Sequence, residues 1–179
     1  MILRTIVRTA GPFLRRGYFS CPSRLYAAVY DRVVDGSDAP VKSKGEIEIA
    51  AAPEIVWDVL TRFEQWPQWN PDVKSMSFDG PMASGSEFRW KSGPGTIVST
   101  LERVEPPRAV SWRGRTMSIK AMHEWRLEPH AGGTRVETEE SFSGLLARLF
   151  RGQLQKTLDK TLGDGLEHLK REAERRAAS

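Results

Sequence analysis

A lone cysteine, Cys21, excludes any internal disulfide, and three histidines are too few and too scattered for the spacing of a metal site. Cys21 therefore reads as a free thiol in a reducing compartment. No apolar run approaches the roughly 20 residues that a membrane-spanning helix needs. A secretory signal is not expected, since no apolar core follows the first charges. Acidic side chains are absent from the first 30 residues, which hold Arg4, Arg8, Arg15, Arg16 and Arg24. That segment carries most of the net charge of +4, because residues 45–179 are close to balanced. The basicity is thus an N-terminal arm and not a groove interleaved with stacking aromatics, which argues against a nucleic-acid partner.

Residues 1–44 read as a basic extension and linker, in part without fixed structure. Three readings of the arm stay open. It is Arg-rich and acid-free like an organellar transit peptide, with Arg15-Arg16-Gly17-Tyr18-Phe19-Ser20 resembling a processing site. Residues 1–16 also suit weak contact with a membrane surface. The third reading is an extension carrying one short helix near residues 23–34. Residues 35–44, rich in Gly, Ser, Pro and charge, look like a linker.

From Gly45 the pattern changes. Glu46-Ile47-Glu48-Ile49 alternates with period two, as a half-buried strand does. Pro53 and Glu54 then open a helix, with proline in the first turn and an acid near the positive end of the dipole. Val56, Leu60 and Phe63 form its apolar stripe. Next comes a dense corner, Phe63-Glu64-Gln65-Trp66-Pro67-Gln68-Trp69-Asn70-Pro71, whose prolines are expected to stop any regular element running through it. Six strands follow, at residues 73–78, 87–91, 96–104, 109–115, 119–127 and 134–142. They are separated by turn sequences such as Asp79-Gly80-Pro81 and His130-Ala131-Gly132-Gly133. Short connections favour antiparallel pairing. The remainder, residues 145–176, reads as one long helix. Leu146, Phe150, Leu154, Leu158, Leu162, Leu166 and Leu169 form its stripe, and Thr157, Thr161 and Gly165 form a small-residue flank. Its tail, residues 170–176, reads as a solvated charge run.

Strand, helix, corner, six strands and long helix make an α+β chain: a curved seven-stranded antiparallel sheet that must cover one face. The long helix alone can do so, and one helix cannot fill the concavity, so a cavity is expected between them. Hairpin register then sets facing. Pairing Leu127 with Val136 places Trp125 opposite Thr138 and His123 opposite Glu140. Pairing Leu101 with Trp112 turns Ile97, Ser99, Leu101, Val110 and Trp112 inward. His123 and Glu140 become neighbours on an apolar wall, where they must pair, share a proton or meet a polar ligand group. Of the two corner tryptophans, Trp66 is expected to be the buried anchor and Trp69 the pocket rim.

Segments 51–60, Ala-Ala-Pro-Glu-Ile-Val-Trp-Asp-Val-Leu, and 63–71 carry a family resemblance. So do Val104-Glu105-Pro106-Pro107-Arg108, Gly132-Gly133-Thr134-Arg135-Val136 and Glu140-Ser141-Phe142-Ser143-Gly144. Over about residues 45–176 the chain resembles the START/Bet v1-like (SRPBCC) superfamily, in its polyketide cyclase/dehydrase and lipid-transport-like branch. The resemblance implies a helix-grip fold, with residues 45–179 as a ligand-binding domain. It further implies a lipid, sterol, quinone or polyketide ligand; no cofactor or metal is expected. Members are mostly binding proteins; a minority are cyclases or dehydratases, and others act with chaperones.

The expected wall of the cavity is Trp69, Phe88, Trp90, Leu101, Trp112, Trp125, Phe142, Leu158 and Leu162, with His123 and Glu140 orienting the ligand. The leading expectation is a non-enzymatic carrier of a small hydrophobic molecule, because no nucleophile stands by the His/Glu pair. The first alternative is a cyclase or dehydratase with His123 and Glu140 as acid and base; the second is a protein- or membrane-interaction module. A cytoplasmic location follows from the likeness to bacterial members, and a mitochondrial one if residues 1–20 are a transit peptide.

Overall fold

The computed structural model describes residues 38–93 and 95–179. The readings of Cys21, of the arginine arm and of the helix near residues 23–34 lie outside the described residues. The elements are β1 (Val41–Ile49), α1 (Pro53–Thr61), a 3-10 turn (Phe63–Gln65), α2 (Trp66–Trp69), β2 (Ser75–Ser77), β3 (Glu87–Lys91), β4 (Thr96–Glu105), β5 (Ala109–Thr116), β6 (Ile119–His130), β7 (Gly133–Ser143), α3 (Leu145–Leu149) and α4 (Arg151–Ala177). The strands form one seven-stranded sheet in the order β1-β7-β6-β5-β4-β3-β2. Every neighbouring pair is antiparallel. This is the helix-grip, α+β architecture: a curved sheet with the long α4 packed across its concave side.

Strand β1 starts at Val41, inside the stretch that reads as a linker. Lys42-Ser43-Lys44-Gly45 hides the strand because polar residues and glycine read as a loop; Lys44 instead pairs with Glu137 of β7 at 3.5 Å. A Cβ on Gly45 would lie 2.7 Å from Leu166 Cδ1, so glycine lets α4 approach the strand. Helix side chains also cap the outer edge of β1. Gln155 accepts from Lys42 N at 3.2 Å and donates to Lys42 O at 2.6 Å. Lys170 Nζ donates to Glu48 O, and Glu174 accepts from Ala50 N, both at 2.9 Å. An exposed strand edge invites pairing with other chains, and here one helix supplies the partners.

The corner is more regular than its prolines suggest. Trp66–Trp69 makes one α-helical turn with Pro67 in its first turn, where the missing N–H has no intrahelical partner to lose. Trp66 is 5% exposed and donates its indole N–H to Leu60 O at 2.9 Å, while Trp69 is half-buried. The expected split between the two therefore holds. Phe63, fully buried, packs on Phe88 at 4.5 Å and edge-on to Trp66 at 5.1 Å and Trp112 at 5.9 Å between ring centroids.

The C-terminal helix is interrupted, not continuous. Phe150 leaves helical geometry (φ −107°, ψ 27°), so α3 lies against β6 and β7 while α4 crosses β1. Ala147 is the buried residue of α3, whereas Leu145, Leu149 and Phe150 are exposed. Leu158, Leu162, Leu166, Leu169 and Ala173 form the buried stripe of α4. Its tail is more than a solvated charge run. Arg176 donates to Gln65 Oε1 at 2.7 Å and to Asp58 Oδ2 at 3.1 Å, tying α4 to α1 and the corner.

Candidate functional site

A cavity of about 360 Å³ opens between α4, the sheet and the corner. Strand alternation turns Trp90, Ile97, Ser99, Trp112, His123, Trp125, Glu140 and Phe142 toward it. Helix α4 contributes Leu154, Thr157, Leu158, Thr161, Leu162 and Gly165. The corner contributes Trp66, Trp69, Asn70, Asp72 and Val73. The β5–β6 turn supplies Arg115, Thr116, Met117 and Ile119. Arg115 and Met117 are exposed, and Met117 reaches positive φ at the tip of that turn.

Of the residues expected at the wall, Trp69, Trp90, Trp112, His123, Trp125, Glu140, Phe142, Leu158 and Leu162 come together here. Phe88 and Leu101 do not. Both are essentially fully buried and off the cavity, because the inserted Phe63 ring and its neighbours fill that end of the concave face. Alternation reads the face of a strand, not the depth at which another element has already filled it. The small flank Thr157, Thr161 and Gly165 was visible in the sequence, and its meaning is now clear: it leaves room beside the leucine stripe. Gly114 in mid-strand carries the same signal, since a Cβ there would meet Ile97 and Ser99 at 3.3 Å.

The register places His123 opposite Glu140 and Trp125 opposite Thr138, as the hairpin pairing requires. His123 Nδ1 lies 3.5 Å from Glu140 Oε2, and both side chains are largely buried. Thr138 donates its hydroxyl proton to Glu124 O at 3.0 Å, so toward the imidazole it can only accept. The 2.9 Å contact from His123 Nε2 to Thr138 Oγ1 therefore fixes the proton on Nε2. Nδ1 presents its lone pair to Glu140, and the carboxyl must supply the proton between them.

Burial acts in the same direction. The imidazole sits between the rings of Trp112 and Trp125, with centroids at 4.9 and 5.1 Å. Loss of water disfavours the charged form of each group. It pushes His123 down to about 3 and Glu140 up to about 8. At neutral pH the pair is a neutral imidazole beside a neutral carboxylic acid. At 3.5 Å the two groups are too far apart for a well-formed hydrogen bond, so the Glu140 O–H can turn to another acceptor.

Four indoles of the cavity wall differ in what their N–H groups meet. Trp66 and Trp90 donate within the protein, Trp66 to Leu60 O and Trp90 to Ser99 Oγ at 3.1 Å. Trp69 Nε1 and Trp125 Nε1 are buried with no partner among the described residues. No group of three or more potential metal ligands occurs among the described residues, and none of their helices is long and apolar enough to cross a membrane.

Residues 40–174 match the family described as polyketide cyclase/dehydrase and lipid transport. No curated protein matches the chain. Among solved structures, the chain is similar to the Zhui aromatase/cyclase from Streptomyces sp. R1128. Identity is 17%, the alignment covers 75% of this chain and 94% of that one, and the TM-score is 0.67. A START superfamily protein from Mycobacterium smegmatis aligns at 18% identity over 76% of this chain and 97% of that one, with TM-score 0.58. A hypothetical protein from Helicobacter pylori aligns at 14% identity over 90% of this chain and 99% of that one, with TM-score 0.70. At such identities the likeness is one of fold.

Proposed function

The chain belongs to the polyketide cyclase/dehydrase and lipid transport family, and from that premise we propose that it binds, and carries, a small hydrophobic molecule between the sheet and α4. The observation behind this reading is the cavity of about 360 Å³, walled by indoles and leucines with one buried His/Glu pair. Cavities of this size and apolarity, with few polar groups, are the usual form of small-molecule sites. The fold alone does not name the ligand, so the reading rests on the cavity and not on the neighbours' activities. Native mass spectrometry of the purified protein, followed by denaturing extraction, is expected to release a bound lipid, quinone or polyketide. N-phenyl-1-naphthylamine, a neutral apolar fluorophore, is expected to bind with one-to-one saturation. A protein that emerges empty and fails to enhance that fluorophore would falsify the reading.

One observation favours a second reading, a cyclase or dehydratase. Glu140 keeps its proton and His123 its lone pair while both face the cavity, as an acid/base pair for carbonyl chemistry requires. In that case His123→Ala retains fluorophore binding but abolishes turnover of a poly-β-ketone substrate. Equal turnover in both proteins removes this reading and leaves binding untouched.

A further inference from the structure

The large apolar side chains exposed among the described residues are Met117, Leu145, Leu149 and Phe150, and strand register gathers them at one end of the molecule. Met117 tips the β5–β6 turn, where Thr116 pairs with Ile119. Just beyond it, Lys120 pairs with Ser143 at the end of β7. The chain leaves Ser143 through Gly144 into α3. A Cβ on Gly144 would lie 2.3 Å from Ser118 O, so the start of α3 rests against the turn. The cavity opens at this same end. Arg115, Thr116, Met117 and Ile119 line it from the turn, and Leu154, four residues after Phe150, lines it from α4. Met117 is 76% exposed and Leu145 75%. Exposed apolar residues gathered in one place mark a contact surface.

The charges around them are of one sign. Arg115, Lys120, Arg148, Arg151 and Lys156 are exposed, and none makes an ion pair among the described residues. Residues 106–123 and 141–158 contain no Asp or Glu. The carboxylates of adjoining elements are mostly engaged or set back. Asp159 accepts from Gln155 at 2.8 Å, and Glu140 is turned into the cavity. Asp72, the other carboxylate lining the cavity, lies near Lys160, about two and a half turns along α4 from Arg151. Glu139 lies on the outer face of β7, four residues back from Ser143. Asp38, just before β1, is exposed and stands alone against the five cations.

We propose that this collar of Met117, Leu145, Leu149 and Phe150 with its five cations docks the protein on an anionic lipid bilayer, the cavity mouth facing the lipid. Apolar side chains ringed by Lys and Arg are the composition that seats a protein in the interface of such a bilayer. A second copy on the same surface would set cations against cations. A bilayer also presents apolar molecules directly to the mouth of an apolar cavity. Docking does not require the cavity to be filled, so it stands or falls apart from the binding function proposed above.

The test sediments the full chain with vesicles of phosphatidylcholine, pure or with about 30% phosphatidylglycerol, in about 0.1 M salt. The wild type is expected to partition at least about tenfold better onto the anionic vesicles and to be released in about 0.5 M salt. The Arg148→Gln/Arg151→Gln double variant is expected to bind about twentyfold more weakly, at about fivefold per cation. Leu145→Ser/Leu149→Ser is expected to lose about tenfold, although it keeps every charge. Light scattering is expected to find a monomer. A wild type that stays in solution with anionic vesicles, or binds both kinds equally, overturns the proposal even if the variants fail to fold. Variants that sediment like the wild type also overturn it and move the contact to residues 1–16. A dimer that Leu145→Ser/Leu149→Ser dissociates overturns it in favour of a second copy on this surface.

Discussion

Replacing Glu140 by glutamine removes one ionisation and little else, so it isolates the carboxyl that the fold has buried. The amide keeps the size of the side chain and can still donate to His123 Nδ1. In the wild type, burial raises Glu140 to about 8 from an unfolded value of 4.5. A raised carboxyl contributes stability that is fully present below pH 4.5 and is lost as pH climbs through 8. One pH unit of such titration is worth about 1.4 kcal/mol, so between pH 6.5 and 9 the glutamine variant should gain about 2 kcal/mol on the wild type. His123 acts with the opposite sign. Its value falls from 6.5 to about 3, so its contribution is present above 6.5 and lost as pH falls toward 3. Because His123 and the surface groups are common to both proteins, the difference curve reports Glu140 alone. Urea unfolding followed by tryptophan fluorescence at pH 6.5, 7.5 and 9 measures it. A constant difference across that range would mean that Glu140 is already ionised at pH 6.5, and the neutral pair would have to be abandoned.

Three further changes probe the frame that holds the cavity. Arg176→Met removes the donors to Gln65 and Asp58 and should cost about 1.5 kcal/mol, lowering Tm by about 3–6 °C in thermal unfolding. Gly133→Ala sets a Cβ 2.1 Å from Ile49 O, a backbone atom that cannot step aside. A loss of more than about 3 kcal/mol is expected there. Gly45→Ala instead meets the end of the Leu166 side chain at 2.7 Å. It should cost about 1 kcal/mol, as overpacking against a movable group does, so equal losses at the two glycines would contradict the packing described.

How much of this was legible in the sequence depends on whether a property is local. The register of β6 on β7 follows from one turn and strict alternation, so the approach of His123 to Glu140 could be read residue by residue. The approach of α4 to β1 could not. Gly45 and the polar run before it look like a linker until a helix 110 or more residues later lays Gln155 and Leu166 against them. The leucine periodicity runs unbroken through Phe150, yet the chain breaks there, because burial of Ala147 on the sheet turns α3 away from the line of α4. Phe88 and Leu101 face inward as alternation requires, but the space before them belongs to Phe63. The unpaired indoles of Trp69 and Trp125 have no sequence signal at all: a tryptophan with a partner and one without are the same letter.

The claim that a hydrophobic molecule occupies the cavity is tested most directly by the tryptophan indole resonances of ¹⁵N-labelled protein titrated with N-phenyl-1-naphthylamine. Trp66, Trp69, Trp90, Trp112 and Trp125 line the cavity, and Trp57 does not. The account predicts saturable shifts in resonances of the lining set, with Trp57 stationary as an internal control. Movement of Trp57 alone, or a spectrum unchanged at saturating fluorophore, would contradict it.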